Sequence, residues 1–132
     1  MVDKKIRIDV LTLDSVQCAA CGYMMESIAA LPDDVQGMIE YREWPIKTKE
    51  GIARFMELKG KVLPTICIEG DPVFASCIPQ YEELIEEMAR RAPSPEAAEK
   101  LMALRHVGFQ FDKVGENLKK AGSGLNTREG QK

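Results

Sequence analysis

Two cysteines separated by two residues are the part of this sequence best suited to chemistry. Cys18 and Cys21 flank Ala19-Ala20 at the point where a predicted strand and its turn run into a predicted helix. A cysteine at the start of a helix faces unpaired backbone N–H groups and the positive end of the helix dipole, which together stabilise a thiolate. A second thiol one turn later can attack a mixed disulfide formed at the first and release the reduced target. We therefore expect Cys18 to be the nucleophile and Cys21 the resolving thiol.

The same spacing is also found in half of a zinc site, or in two buried cysteines of a helix. A tetrahedral zinc site usually contains a second close pair of cysteines. Here Cys67 and Cys77 are ten residues apart, and the single histidine, His106, lies in the C-terminal region. A metal site that combines Cys18, Cys21 and Cys77 stays open as an alternative to redox chemistry.

Composition and charge exclude several other classes of function. The 132 residues are 45% hydrophobic and 30% charged, which is typical of one globular domain. The net charge of −3 supplies no basic field for nucleic acid or an anionic membrane. No apolar run approaches the roughly 20 residues that span a bilayer, and residues 1–6 lack the apolar core of a secretory signal. We expect a soluble cytoplasmic protein, in which closely spaced cysteines favour redox or metal chemistry over structural disulfides.

Side-chain periodicity predicts an α/β fold. Period-two alternation predicts strands over 5–13, 38–44 and 61–68, followed by a tight turn and a returning strand over 73–76. Helical spacing predicts helices over 18–31, 48–59 and 79–91. Two strands joined by a helix should be parallel, and the last two should form an antiparallel hairpin. The expected architecture is a mixed four-stranded sheet flanked by helices.

The predicted fold occupies residues 1–92, and a different region follows. Pro93-Ser94-Pro95 breaks the chain, with Ser94 as a helix cap and Pro95 at the first helical position. Residues 93–121 are predicted to be a helical extension, and 122–132 a disordered polar tail. The extension has two interpretations, because Phe109 and Phe111 would be costly to expose. It forms either an added helical layer or a contact with a second copy or another partner.

Several residues have a simpler structural interpretation. Helical spacing places Met24, Met25, Met56 and Met88 on faces that we expect to be buried in the core. Cys67 lies in a strand predicted to be buried, where cysteine commonly acts as a small hydrophobic residue. None of these residues is expected to take part in the chemistry of the cysteine pair.

With C-x-x-C at the start of the first helix and Leu63-Pro64-Thr65 opening the third strand, the chain resembles the thioredoxin superfamily. The resemblance implies a thioredoxin-like fold in which the Leu63–Pro64 peptide bond is cis and lies against the cysteine pair. A cis bond turns the chain sharply and leaves the Leu63 backbone available to an extended substrate. The expected substrate-binding residues are Leu63, Pro64 and Thr65. The expected supporting residues around the cysteines are Gln17, Ala19, Ala20 and Tyr23.

Within this superfamily, the chain looks like the compact glutaredoxin-sized members. It is more closely similar to small archaeal and bacterial thioredoxin-like redox-active disulfide proteins. Gln17 stands where thioredoxin has a Trp, Ala19-Ala20 where it has Gly-Pro, and Thr12 where it has a buried acid. The glutathione-binding residues of glutaredoxin are not evident in residues 75–78.

These observations predict a thiol–disulfide oxidoreductase without a cofactor. The Ala19-Ala20 dipeptide supplies no special stabilisation of the reduced thiolate, so we expect a reductant rather than a strong oxidant. Its expected partners are protein disulfides and a reductase or dithiol donor. One alternative is a thiol-based metal-binding protein or metallochaperone on the same fold. A second is a non-catalytic adaptor that makes its contacts through the C-terminal extension.

Overall fold

The computed structural model describes residues 4–13 and 18–115. Gln17, the end of the predicted extension and the predicted tail 122–132 lie outside these ranges. Within the described ranges, no helix has the length and apolar composition needed to cross a membrane. In chain order the elements are β1 (Ile6–Thr12), α1 (Ala19–Ala29), α2 (Asp33–Gln36), β2 (Ile39–Pro45), α3 (Lys49–Glu57), β3 (Thr65–Ile68), β4 (Asp71–Ala75), α4 (Tyr81–Arg90), α5 (Pro95–Ala103) and a 3₁₀ turn (Phe111–Lys113).

The four strands form one mixed sheet in the order β2-β1-β3-β4. β1 pairs in parallel with β2 and antiparallel with β3, and β3 and β4 form an antiparallel hairpin. The predicted mixed four-stranded sheet is therefore confirmed. Leu11 of β1 pairs with Trp44 of β2 and with Thr65 of β3. The end of β1, the end of β2 and the start of β3 thus share one end of the sheet, called here the cysteine end because Cys18 follows β1.

The central strand β1 is buried on both faces. Its side chains alternate between the two faces of the sheet. Ile6, Ile8 and Val10 enter the main core, together with apolar side chains of α1 and α4. The opposite face carries Asp9, which is only 1% exposed because α3 covers it. Helices therefore cover both faces of the sheet, as the sequence predicts.

Side-chain caps fix the start of several helices. Thr48 Oγ1 accepts a hydrogen bond from the N–H of Gly51 at 2.9 Å and begins α3. Ser94 Oγ accepts from the N–H of Ala97 at 3.1 Å and begins α5, with Pro95 in its first turn. These polar side chains satisfy N–H groups that have no partner inside the helix. The Ser94 cap is predicted from the sequence and confirmed, and Thr48 lies at the predicted start of its helix.

The end of the first helix differs from the prediction. α1 ends at Ala29 rather than at residue 31, and Asp33–Gln36 form the short helix α2. Pro32 immediately precedes α2, a place where its missing N–H costs nothing. Gln36 Nε2 then donates to the carbonyl oxygens of Ile28 and Ala29, at 2.8 and 3.2 Å, and so caps the end of α1.

The β3–β4 hairpin begins earlier than predicted. Glu69 and Gly70 have φ of 52° and 87°, so both turn residues adopt left-handed backbone conformations. β4 starts at Asp71 rather than at 73, because Pro72 is accommodated on the outer strand of the sheet. The register between β3 and β4 shifts between Ile66 and Cys67.

Three of the four methionines assigned to the core are buried as predicted: Met24, Met25 and Met88. The prediction is wrong for Met56, whose side chain is 70% exposed. α3 lies with Arg54 turned towards the sheet, where its guanidinium binds Asp9. This orientation places Met56 on the outer side of the helix.

The first part of the C-terminal extension packs on the helices. Leu101 of α5 is fully buried in the main core. Tyr81 Oη donates a hydrogen bond to the carbonyl oxygen of Leu104 at 2.6 Å. The N–H of Gln110 donates to the carbonyl oxygen of Ala30, also at 2.6 Å. Residues 95–115 thus form a layer over α4 and the end of α1 rather than over an open face of the sheet.

The two phenylalanines of the extension have different environments. Phe109 packs edge-on against the ring of Tyr81, with ring centroids 5.3 Å apart. Phe111 contacts Phe109 but is 55% exposed. The helical-layer interpretation accounts for Phe109, and a homodimer through this region stays a prediction.

We expect Leu101→Ala to lower the free energy of unfolding by about 2–5 kcal/mol, the usual cost of a cavity at a fully buried leucine. Urea unfolding followed by far-UV circular dichroism measures the change. Met102→Ala, at a neighbouring side chain that is 46% exposed, is the matched control and should leave the midpoint nearly unchanged. Equal midpoints for Leu101→Ala and the native chain would show that α5 does not contribute to the core.

Candidate functional site

Cys18 occupies the N-cap of α1, as the sequence predicts. Its Sγ accepts a hydrogen bond from the backbone N–H of Cys21 at 3.3 Å. The sulfur therefore receives one of the N–H groups that have no partner inside the helix. Cys18 is partly exposed, so a substrate can reach it. Exposure and N–H donation are what a nucleophilic thiolate at a helix start requires.

Cys21 lies one turn further along α1 and is fully buried. The backbone N–H of Leu13, just after β1, donates to Cys21 Sγ at 3.4 Å. The same turn therefore presents one accessible sulfur and one protected sulfur. The sequence predicts that Cys18 meets the target and that Cys21 acts afterwards, and these roles stay a prediction.

A buried carboxylate lies at the same end of β1. Thr12 Oγ1 donates to Glu43 Oε2 at 2.7 Å, and both residues are almost fully buried, at 0% and 4% exposure. Thr12 follows Ile6, Ile8 and Val10 on the strand face that α1 covers. Glu43 belongs to the buried face of β2, and its place in the period-two pattern with Ile39 and Tyr41 was the available sequence signal. The sequence interpretation missed this residue.

The Leu63-Pro64-Thr65 segment enters β3 at the cysteine end of the sheet. The Leu63–Pro64 peptide bond is cis, as the resemblance implies. The Pro64 carbonyl oxygen accepts from the N–H of Ser76 at 2.7 Å, and Thr65 Oγ1 donates to the carbonyl oxygen of Val62 at 2.9 Å. Among the described residues, no hydrogen bond uses the backbone of Leu63. Its N–H and C=O are thus available to a bound chain, whereas Pro64 and Thr65 are buried.

Exposed apolar side chains occur near this end of the sheet. Leu13, whose N–H reaches Cys21, is 54% exposed, and Tyr23 of α1 is 56% exposed. Ile78, which follows β4, is 43% exposed. The predicted supporting residues Ala19 and Ala20 are also exposed, and Gln17 lies outside the described residues. Such a surface can contact the side chains of a protein substrate.

The metal-binding alternative requires Cys77 to join the pair. Cys77 is exposed beyond the end of β4. Within residues 4–13 and 18–115, no group of three or more His, Cys, Asp or Glu side chains is arranged to hold a metal ion. The structure therefore does not assemble Cys18, Cys21 and Cys77 into a ligand cluster.

The opposite face of the sheet carries a second polar cluster that the sequence did not reveal. The carboxylate of Asp9 accepts from Trp44 Nε1 at 2.8 Å and from Arg54 Nη2 at 2.9 Å. Cys67 pairs with Asp9 across β1 and β3 and is fully buried, as predicted. Burial, and secondarily the charge of Asp9, raises the pKa of the Cys67 thiol to about 11. Cys67 is thus an inert core residue, and the cluster anchors α3.

No protein-family model matches the chain, and no curated protein or solved structure matches it either. The mixed sheet, its helices and the Cys18–Cys21 pair are compatible with a thioredoxin-like fold. Any assignment of activity therefore depends on the geometry of this chain alone.

We expect iodoacetamide at pH 8 to label the exposed Cys77 and the partly exposed Cys18, and to label Cys67 only after unfolding. Because burial raises the pKa of Cys67 above its ordinary value, the unfolded thiol ionises first, and the folded state loses stability as pH rises from about 9 towards about 11. Peptide mass spectrometry measures each site, with urea-unfolded protein as the control. Labelling of native Cys67 as fast as Cys77 would contradict the described burial.

Proposed function

We propose that this protein is a thiol–disulfide oxidoreductase with a thioredoxin-like fold that reduces protein disulfides in a reducing compartment such as the cytoplasm. The observation that carries the proposal is the unequal placement of the two sulfurs. Cys18 is accessible and accepts an N–H bond at the start of α1, while Cys21 is buried one turn behind it. The cis Leu63–Pro64 bond at the same end of the sheet supports the fold assignment.

The first step takes place at Cys18. Its thiolate attacks one sulfur of the target disulfide, and the other target sulfur leaves as a thiolate that takes up a proton. The product is a mixed disulfide between Cys18 and the target. The backbone of Leu63 can hold the target chain in an extended form, because its N–H and C=O have no other partner among the described residues.

The second step takes place at Cys21. Its thiol loses a proton, and the resulting thiolate attacks the sulfur of Cys18. The bond to the target breaks, and the second target sulfur leaves as a thiol. The target has then gained two electrons and two protons, and Cys18 and Cys21 are joined by a disulfide. A dithiol donor or reductase must reduce that disulfide before another turnover.

Proton loss from Cys21 needs an acceptor, because the buried sulfur has no exposed surface. Glu43 is a buried carboxylate bonded to Thr12, which precedes the residue whose N–H reaches Cys21 Sγ. We assign uptake of this proton to Glu43, which the Thr12 hydroxyl holds in place. The carboxylate that thioredoxin has at the Thr12 position is here supplied by the neighbouring strand.

Redox titration of the purified protein in a dithiothreitol or glutathione series tests the proposal directly. Thiol alkylation followed by mass spectrometry should show one two-electron transition, confined to Cys18 and Cys21. Cys18→Ser should abolish reduction of a disulfide substrate, and Cys21→Ser should accumulate the mixed disulfide at Cys18. Cys77→Ser is the matched control and should keep native turnover.

Two results would count against the proposed function. Full activity of Cys18→Ser would show that another group is the nucleophile. A titration with no defined transition, or a transition that appears only after a chelator removes bound metal, would favour the metal-binding alternative.

Glu43→Gln retains a side chain that can accept the Thr12 hydrogen bond but cannot take up a proton. We expect it to slow the second step about 100-fold, within the range that general-base catalysis contributes. Quenched-flow measurement of the two target thiols should show native release of the first and delayed release of the second. The slowed step should speed up as pH rises, because solvent base replaces the carboxylate.

Thr12→Val, which keeps the shape of the side chain and removes its hydroxyl, should show a delay of the same kind. Native rates and a native pH profile for the second step in Glu43→Gln would rule out the role of Glu43. Such a result would leave the roles of the two cysteines unchanged.

A further inference from the structure

Helix α3 is held with polar and small residues towards the sheet. A Cβ atom added to Gly51 would lie 1.7 Å from the carbonyl oxygen of Pro45, so the helix approaches the end of β2 closely at this residue. One turn later, Arg54 Nη2 binds the buried Asp9 carboxylate at 2.9 Å. These two contacts fix the rotation of α3 about its own axis.

Two apolar side chains of α3 consequently lie on its outer side, whereas Phe55 is half-buried. Ile52 and Met56 are one turn apart and are 49% and 70% exposed. Val62, in the segment that follows α3, is 42% exposed. A large exposed methionine and isoleucine on one helix face are unusual where the same helix buries an arginine. Their position follows from the Arg54 contact rather than from fraying of the helix.

Lysines surround these apolar side chains. Lys49, Ile52 and Met56 recur at helical spacing along α3, and Lys59 lies just after the helix in a left-handed backbone conformation, with φ of 56°. Lys61 lies beside Val62 in the following segment and is exposed, as are the other two lysines. Within the part of the chain described, no ion pair engages these three lysines. The outer face of α3 is defined here by Lys49, Ile52, Met56, Lys59, Lys61 and Val62.

The local charge of this face is positive, although the whole chain carries −3. The acidic side chains of α3 are Glu50 and Glu57. Arg54 pairs with Glu57 at 2.9 Å and also with the buried Asp9, so its one charge is shared between two acids. Residues 49–62 carry four cationic side chains, Lys49, Arg54, Lys59 and Lys61, against the two acids Glu50 and Glu57, which gives this segment a net charge of +2.

Both ends of the α3 connection lie at the cysteine end of the sheet. The connection leaves β2 at Pro45, which pairs with Thr12, and re-enters the sheet at Thr65, which pairs with Leu11. The two segments that join α3 to the sheet therefore lie at the cysteine end, although α3 and α1 cover opposite faces of the sheet.

We propose that the outer face of α3 is a docking surface for an acidic protein segment with exposed apolar side chains. The apolar side chains supply the contact area, and the lysines attract a partner of opposite charge and fix its orientation. The identification of this partner as the disulfide substrate or the dithiol donor rests on the proposed function. The proposal that a partner docks at this face does not depend on that function.

The charges favour a protein over an anionic membrane or a second copy. The net charge of −3 opposes approach of the whole chain to an anionic lipid surface and to another copy of itself. Stable membrane attachment also needs deeper apolar insertion than the outward side chains Ile52 and Met56 provide. Salt screens charges that lie more than about 10 Å away, so a short acidic segment at the lysines is affected less by the charge of the rest of the chain.

The test uses two synthetic peptides of equal length with identical leucines, one rich in glutamate and the other in lysine. Amide chemical shifts of the uniformly ¹⁵N-labelled full chain report binding. We expect the acidic peptide to shift signals of residues 49–62 and to bind at least about tenfold more tightly than the basic peptide at low salt. Met56→Glu and Lys61→Glu should each weaken binding of the acidic peptide at least about fivefold.

Helix α5 supplies matched controls. Met102→Glu and Lys100→Glu make the same substitutions at exposed positions of that helix and should leave binding within about twofold. Reduction of a small uncharged disulfide by the same variants tests the chemistry separately. We expect it to stay native in Met56→Glu, so a failure of docking and a failure of the proposed function can be distinguished.

Three results would overturn the proposal. The first is equal binding of the two peptides, or equal losses in the α3 and α5 variants. The second is Met56-dependent sedimentation of the protein with phosphatidylserine vesicles without binding of the acidic peptide, which would assign the face to a membrane. The third is a dimer in analytical ultracentrifugation that Met56→Glu dissociates, again without peptide binding.

Discussion

The hydrogen bonds and the ion pair of the buried Asp9 carboxylate determine how helix α3 lies on the sheet. A charge moved from water into a protein interior costs several kcal/mol unless it is paired and hydrogen-bonded. Asp9 meets this requirement through Trp44 of β2 and Arg54 of α3, which the chain brings from two different elements. Because Arg54 must face inwards, Ile52 and Met56 of the same helix turn outwards. The exposed apolar surface of α3 is therefore a consequence of a charge in the middle of β1.

The two faces of β1 separate the anchoring of α3 from the proposed chemistry. One face uses Asp9 to hold α3, and the other packs Ile8 and Val10 against α1 and ends at Thr12. Cys21 Sγ receives its N–H bond from the residue after Thr12, so the position of the buried sulfur depends on the strand as well as on the helix. A rigid strand buried on both faces can hold a reacting group within the narrow limits that catalysis requires.

Local features of the sequence are enough to predict the elements, and much less informative about contacts between them. Thr48 and Ser94 are recognisable caps because a cap is a property of a few consecutive residues. The alternation in β1 separates Asp9 from the apolar face, but a single strand carries no information about the side chains that will pair with it. Glu43 is likewise visible only as an acid in a buried pattern until Thr12 is seen beside it. The exposure of Met56 depends on the contact between Arg54 and Asp9, and therefore cannot be predicted from the sequence of α3 alone.

The outer strand β4 has a consequence for how this sheet meets other chains. An outer strand normally offers a row of N–H and C=O groups on which another strand can add. Pro72 removes one donor from that row, and the register shift opposite Ile66 and Cys67 disturbs its regular spacing. Extension of the sheet past β4 is thereby disfavoured. Among the described strands, addition of a strand from another chain is consequently less favourable at β4 than at β2.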